Sequence, residues 1–97
     1  MTGASYHPLA ELELIEAAAY YELETPGLGF AFLAEAERCL EAVLSYPEAG
    51  PVVRGEIRRR LFRRFPYGLL YRIKANKVRV LAVMNLKRRP YYWVGRS

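Results

Sequence analysis

The sequence predicts an α+β fold: an N-terminal hairpin of two helices packed on a small antiparallel sheet. That sheet is a meander of three strands, with a short N-terminal edge strand as an optional addition. Three observations predict it. Apolar residues recur at helical spacing up to about residue 45, and afterwards follow the alternating or continuous patterns of strands. A stretch rich in proline and glycine, residues 46–55, separates the two regimes. Charge divides at nearly the same place. All ten acidic residues are glutamates, the last being Glu56, and with only Arg38 and Arg54 against them the first part has a net charge of −8. Thirteen lysines and arginines follow, with no acid among them.

Each element has its own grounds. Residues 2–6 allow a short edge strand. Pro8 suits the first turn of a helix, where its missing N–H costs nothing. Leu9, Leu12, Ile15, Ala19 and Leu23 then recur at helical spacing and are expected to face inward. Glu11 and Glu13 sit near the positive end of the helix dipole. Thr25, Pro26, Gly27, Leu28 and Gly29 stop that helix and allow a tight reversal. The second helix is expected over 30–45, with Leu33, Ala36, Leu40 and Val43 or Leu44 inward and Glu35, Glu37, Arg38 and Glu41 toward water. So short a link makes the pair an antiparallel hairpin.

Residues 46–55 read as a loop. The first strand is expected over 57–65, placing Arg58, Arg60 and Arg64 on one face and Arg59 and Arg63 on the other. Pro66 and Gly68 mark a turn or an irregular strand entry. The second strand spans 69–73, and Asn76 tolerates the positive φ of the next turn. The third, 78–84, is almost continuously apolar, as a covered central strand should be.

Ninety-seven residues suffice for one domain, 1–97, and not for two separate cores. A lone cysteine, Cys39, forms no intrachain disulfide and is compatible with a reducing cytoplasm. The first eleven residues lack the pattern of a signal peptide, and no stretch is apolar enough to span a membrane. One His, one Cys and no Asp give no metal-ligand set, and no phosphate-cradling glycine loop occurs, so no cofactor is expected. Cys39 has no histidine partner for nucleophilic chemistry, and His7 reads as a helix cap.

The basic half therefore draws attention. It predicts a polyanion or an acidic protein as partner, since thirteen cations exceed the carboxylates available to them. Arg58, Arg60 and Arg64 offer planar forks that grip phosphate or carboxylate. In the tail, Lys87, Arg88 and Arg89 stand beside Tyr91, Tyr92 and Trp93. Cations next to rings suit single-stranded RNA, whose phosphates and bases they can meet separately. Trp93 is better read as packing back onto the sheet.

The ordered residues resemble the RelE/ParE superfamily of toxins from type II toxin–antitoxin systems. The resemblance rests on His7 and Pro8, Glu11 and Leu12, and Ala17 through Tyr21, followed by Pro26 through Gly29. It continues through Ile57 and Arg58, Arg64 to Tyr67, Tyr71 to Ile73, and Val80 to Val83, and ends with Arg88 to Pro90 and Tyr92 with Trp93. Many relatives carry a histidine after the last strand, where this chain has Asn85. The resemblance implies a cytoplasmic, growth-inhibiting toxin silenced by a cognate antitoxin in a hetero-oligomer, with no membrane role. Two targets are implied. The preferred one is DNA gyrase, poisoned by binding as in the ParE branch. The alternative is ribosome-dependent cleavage of mRNA, as in the RelE branch, where Arg64, Lys87, Arg89 and Tyr92 would share the catalytic work. A third reading keeps antitoxin binding without toxicity. In every case, Arg58, Arg60, Arg64, Lys87, Arg88, Arg89, Tyr91 and Tyr92 are the expected contact residues.

Overall fold

In the computed structural model, residues 3–97 are described; Thr2, at the start of the expected edge strand, lies outside the described residues. The elements are β1 (Ala4–Tyr6), α1 (Pro8–Glu24), α2 (Leu28–Ser45), β2 (Val52–Arg54), β3 (Ile57–Leu61), β4 (Tyr67–Lys74) and β5 (Lys77–Asn85). They form one five-stranded sheet of order β1-β5-β4-β3-β2, with the helical hairpin on one face. The α+β class and the hairpin on a mainly antiparallel sheet agree with the sequence reading.

Four details differ from it. The edge strand exists and runs parallel to β5, with Ala4 opposite Val78 and Tyr6 opposite Val80. The expected loop 46–55 contains β2, which extends the meander by pairing Val52 with Arg58. The strand expected over 57–65 stops at Leu61, because Phe62 turns into the core and donates its N–H to the carbonyl of Tyr67. Arg63 and Arg64 therefore lie beyond the strand. The last difference concerns the helix faces.

On α1 the expected stripe points outward: Leu9, Leu12, Ile15 and Leu23 are exposed, and so is Ala19. The buried side is made of Ala10, Ala17 and Ala18, with Leu14 and Tyr21 packed against the core. Alanines win this face because they let the helix backbone approach α2 and β5 closely. Periodicity could not decide the matter, since α1 is apolar on both sides. On α2 the inward residues are Phe32, Ala36, Cys39 and Val43, and Glu35, expected in water, is buried.

Phe32 anchors the helix-side core. Its ring lies 4.9 Å from Tyr67 and 5.1 Å from Phe65, both edge-on, the geometry that ring quadrupoles favour. Tyr71 and Leu69 of β4 and Val78, Val80 and Val83 of β5 complete it. Leu81 is the extra residue of a β-bulge, since Leu70 pairs with Ala82 and Tyr71 with Val80. The two-residue β4–β5 turn holds Ala75 at φ 52° and Asn76 at φ 60°, a left-handed pair suited to hairpin twist.

The helices meet at Gly29. A Cβ there would press on the Ala18 carbonyl and stand 2.8 Å from the Glu22 Cβ. Glu22 in turn accepts N–H bonds from Gly27 (2.8 Å) and Gly29 (3.0 Å), capping the start of α2 from α1. Gly29→Ala should therefore lower stability by about 1–3 kcal/mol, the usual cost of overpacking. Chemical denaturation checks this, with Gly27→Ala unsuitable as a control because Gly27 sits at φ 89°.

Candidate binding face

The sheet face away from the helices carries a second, smaller core. Leu70, Ala82 and Met84 are covered by Trp93, only 2% exposed, with Val53, Ile57 and Tyr92 around them. The expectation that Trp93 folds back is met. The cross-strand register explains the floor, because Arg59 of β3 stands opposite Leu70, which stands opposite Ala82. Beside the tail a groove of about 540 Å³ opens, lined by Val53, Leu61, Leu70, Met84 and Trp93 together with Arg59 and Arg88. It is an apolar trough bordered by guanidinium groups.

The tail reaches this position through Glu13. One carboxylate oxygen accepts the Val83 N–H (3.0 Å) and one Arg96 N–H (3.0 Å), while the other accepts a second Arg96 N–H (3.1 Å). Arg96 also donates to the Leu81 carbonyl at 3.0 Å. β1 ends opposite Val80, so these bonds close the edge of β5 beyond it. Tyr92 lies between Arg88 and Arg96, whose guanidinium carbons are 4.0 and 5.2 Å from the ring centroid. Burial and the Glu13 carboxylate beside it push its hydroxyl well above the ordinary tyrosine value.

The expected contact residues are dispersed over the molecule. Arg88 and Tyr91 border the groove. Tyr91 is half exposed, with the Arg54 guanidinium 5.4 Å from its ring. Lys87 and Arg89 are exposed; Lys87 lines a second cleft together with Glu13, Glu16 and Tyr67, and the Arg89 side chain has no hydrogen bond or ion pair among the described residues. Arg58 and Arg60 lie on the helix side, near Tyr71. Arg58 donates to the carbonyls of Glu48 (2.9 Å) and Gly50 (2.8 Å), so it braces the 46–51 loop. Arg64 sits with Phe65, 5.4 Å from its ring, at the edge of the aromatic core. The structure thus puts Arg88 and Tyr91 at the groove, Lys87 in the cleft beside α1, and Arg58, Arg60 and Arg64 elsewhere.

Sequence reasoning passed over Arg54, Arg59 and Arg72 as members of this face. Nε of Arg59 and Nε of Arg72 are buried and without a partner among the described residues. Strand alternation from Leu70 would have placed Arg59 there. Glu13 and Arg96 carry no sequence signal at all, since 83 positions separate them.

The charge balance is the main electrostatic result. Among the described residues, glutamate ion pairs involve Arg38 with Glu35 (2.8 Å), and Arg96 (3.0 Å) and Arg88 (3.9 Å) with Glu13. Among the described residues, the side chains of Arg54, Arg58, Arg59, Arg60, Arg63, Arg64, Lys87 and Arg89 form no ion pair with a carboxylate. His7 caps α1, its Nδ1 accepting the Leu9 N–H at 3.1 Å. Cys39 is buried, which pushes its thiol up to about 11 and leaves it unreactive at neutral pH. No helix among the described residues is long and apolar enough to cross a membrane.

A family model described as "ParE toxin of type II toxin-antitoxin system, parDE" matches residues 4–90. Among solved structures, a chain titled "Chromosomal ParDE TA system from P. aeruginosa" superposes with a TM-score of 0.77 at 15% identity, covering 90% of this chain and 97% of that one. At that identity the likeness speaks for the fold. No curated protein sequence matches the chain.

Glu35 holds the arginine-bearing turn in place. Its carboxylate takes two bonds from Arg38, at 2.8 and 2.9 Å, and accepts the backbone N–H groups of Arg63 and Arg64. The Arg38 bonds first, and the backbone donors after them, lower its pKa to about 2. A depressed carboxylate adds stability that is present above its unfolded value, about 4.5, and lost as pH falls toward 2. Glu35→Gln should cost about 1.5–3 kcal/mol near neutral pH, the range for bonds to a charged group. The gap from wild type should close between pH 4.5 and 2 in urea titrations.

Proposed function

From the premise that the chain belongs to the ParE toxin family of type II toxin–antitoxin systems, we propose that it arrests bacterial growth by binding and poisoning DNA gyrase until a cognate antitoxin covers it. The observation that carries this reading is the apolar groove bordered by Arg59 and Arg88, whose neighbouring cations Arg54 and Arg89 form no ion pair among the described residues. Guanidinium groups beside an apolar floor suit a protein surface that offers carboxylates and aliphatic side chains together. An acidic antitoxin segment would meet the same groups.

Ribosome-dependent RNA cleavage is the weaker reading, for a chemical reason. Such cleavage needs a base for the ribose hydroxyl. Asn85 stands where many relatives have histidine, and its amide donates to the Tyr67 hydroxyl at 3.4 Å. Arginine holds its proton too tightly to serve. Tyr92, with its hydroxyl pushed upward beside Glu13, is a poor base as well. Lys87 and Arg89 can neutralise phosphate but do not complete an acid–base pair.

Expression of the chain alone should stop growth, and co-expression with the product of the adjacent reading frame should restore it. During arrest, DNA double-strand damage should accumulate while mRNA remains uncut. Arg89→Ala should reduce toxicity roughly tenfold, the scale of one lost charge-assisted contact. Uniform mRNA cleavage without DNA damage would replace gyrase by the ribosome as target. Full toxicity of the variant would remove Arg89 from the contact surface.

A further inference from the structure

The far end of the open sheet face carries a second group of cations. β4 and β5 pair Arg72 with Arg79 and Lys74 with Lys77, two successive like-charge pairs across one hairpin. Tyr71, Val78 and Val80 belong to the helix-side core, so strand alternation puts all four cations on the opposite face. Like charges directly opposite each other destabilise a sheet. This arrangement opposes folding and therefore asks for another reason.

The chain supplies little to offset these charges. Arg79 is occupied, donating to the Ser5 hydroxyl and the Tyr6 carbonyl, each at 3.1 Å, and to the Ser97 oxygen at 3.3 and 3.4 Å. Lys74 and Lys77 are exposed, and neither forms an ion pair among the described residues. Arg72 forms none either, and its Nε is buried without an acceptor among them. Arg72 and Arg54 line a hollow of about 220 Å³ to which Glu56 brings the one carboxylate among the lining side chains.

The residues present select the ligand. The hairpin tip is Lys74, Ala75, Asn76 and Lys77, and residues 72–79 include no aromatic ring. Without a ring the patch cannot stack unpaired bases, as single strands favour. Without a large apolar side chain at the tip, it has nothing to bury in a membrane. Alternate residues stand about 7 Å apart along an extended strand. That spacing matches the longer phosphate repeat of B-form DNA rather than the compressed repeat of A-form RNA.

We propose that the β4–β5 hairpin end, with Arg72, Lys74 and Lys77 and Arg54 beside them, is a sequence-independent site for the phosphate backbone of double-stranded DNA. The site does not depend on the gyrase reading. Trp93 lines both the hollow and the apolar groove, so the two sites adjoin on one face. A protein in the groove and a duplex at the hairpin end can be held together.

The test titrates the purified full chain into a short fluorescent DNA duplex of arbitrary sequence and follows anisotropy. Binding should weaken with salt along a log–log slope of about −3 to −4, the value for four phosphate contacts. Lys74→Gln and Lys77→Gln should each flatten that slope by about one. Their melting temperatures should hold or rise, since each relieves a like-charge pair. Arg63→Gln, which removes an equal charge from the turn beside α2, should leave the slope unchanged. Equal flattening by Arg63→Gln would show attraction to net charge alone and overturn the site. Absence of duplex binding at low salt would overturn it as well. Tighter binding to single-stranded DNA, to duplex RNA or to phosphatidylglycerol vesicles overturns the choice of ligand. DNA binding with the expected slopes, in a chain whose expression causes no DNA damage, would keep this site and remove gyrase as target.

Discussion

The Glu13 carboxylate is where the helical layer, the sheet edge and the C-terminal tail are joined. β1 is only three residues long, so beyond Val80 the edge of β5 has no strand neighbour. An open edge of this kind invites pairing with other chains. Glu13 takes the Val83 N–H, Arg96 takes the Leu81 carbonyl, and the two side chains bond to each other. A charge-assisted pair thereby does what another strand would do. The bulge at Leu81 is part of the same arrangement, since the extra residue sits where Arg96 arrives.

Fixing Arg96 also fixes the tail that precedes it. Trp93 is held over Leu70, Ala82 and Met84, and Tyr92 is held under Arg88. Without that anchor the second face of the sheet would expose an apolar floor, and the cations of the tail would have no defined position. Glu35 plays a corresponding part on the other layer, where it accepts the backbone N–H groups of Arg63 and Arg64. Two glutamates on the helices thus position the basic half through backbone and tail contacts, without neutralising most of its charge.

The sequence made the layers legible because they depend on local pattern. The change from helical to strand periodicity near residue 46 and the stop around Pro26 and Gly27 both survive in the structure. The positive φ at Asn76 survives as well. What stayed hidden depends on choices that local pattern leaves open. α1 is apolar on two sides, and the alanine side won because close packing needs small residues. β2 was hidden by Pro51 and Gly55, which read as loop while Val52 still pairs with Arg58. At the site, the enrichment of Lys87 to Tyr92 was visible, but the partition of arginines was not. Phe62 leaves the strand to fill the core, so Arg63 and Arg64 lose the alternation they would have had.

The same geometry gives the molecule two surfaces of opposite sign, which meet where Glu13 pairs with Arg88 and Arg96. The helix surface is aliphatic and edged by Glu11, Glu16 and Glu24; the sheet surface is aliphatic and edged by Arg54, Arg59 and Arg88. A partner of one sign could satisfy only one of them.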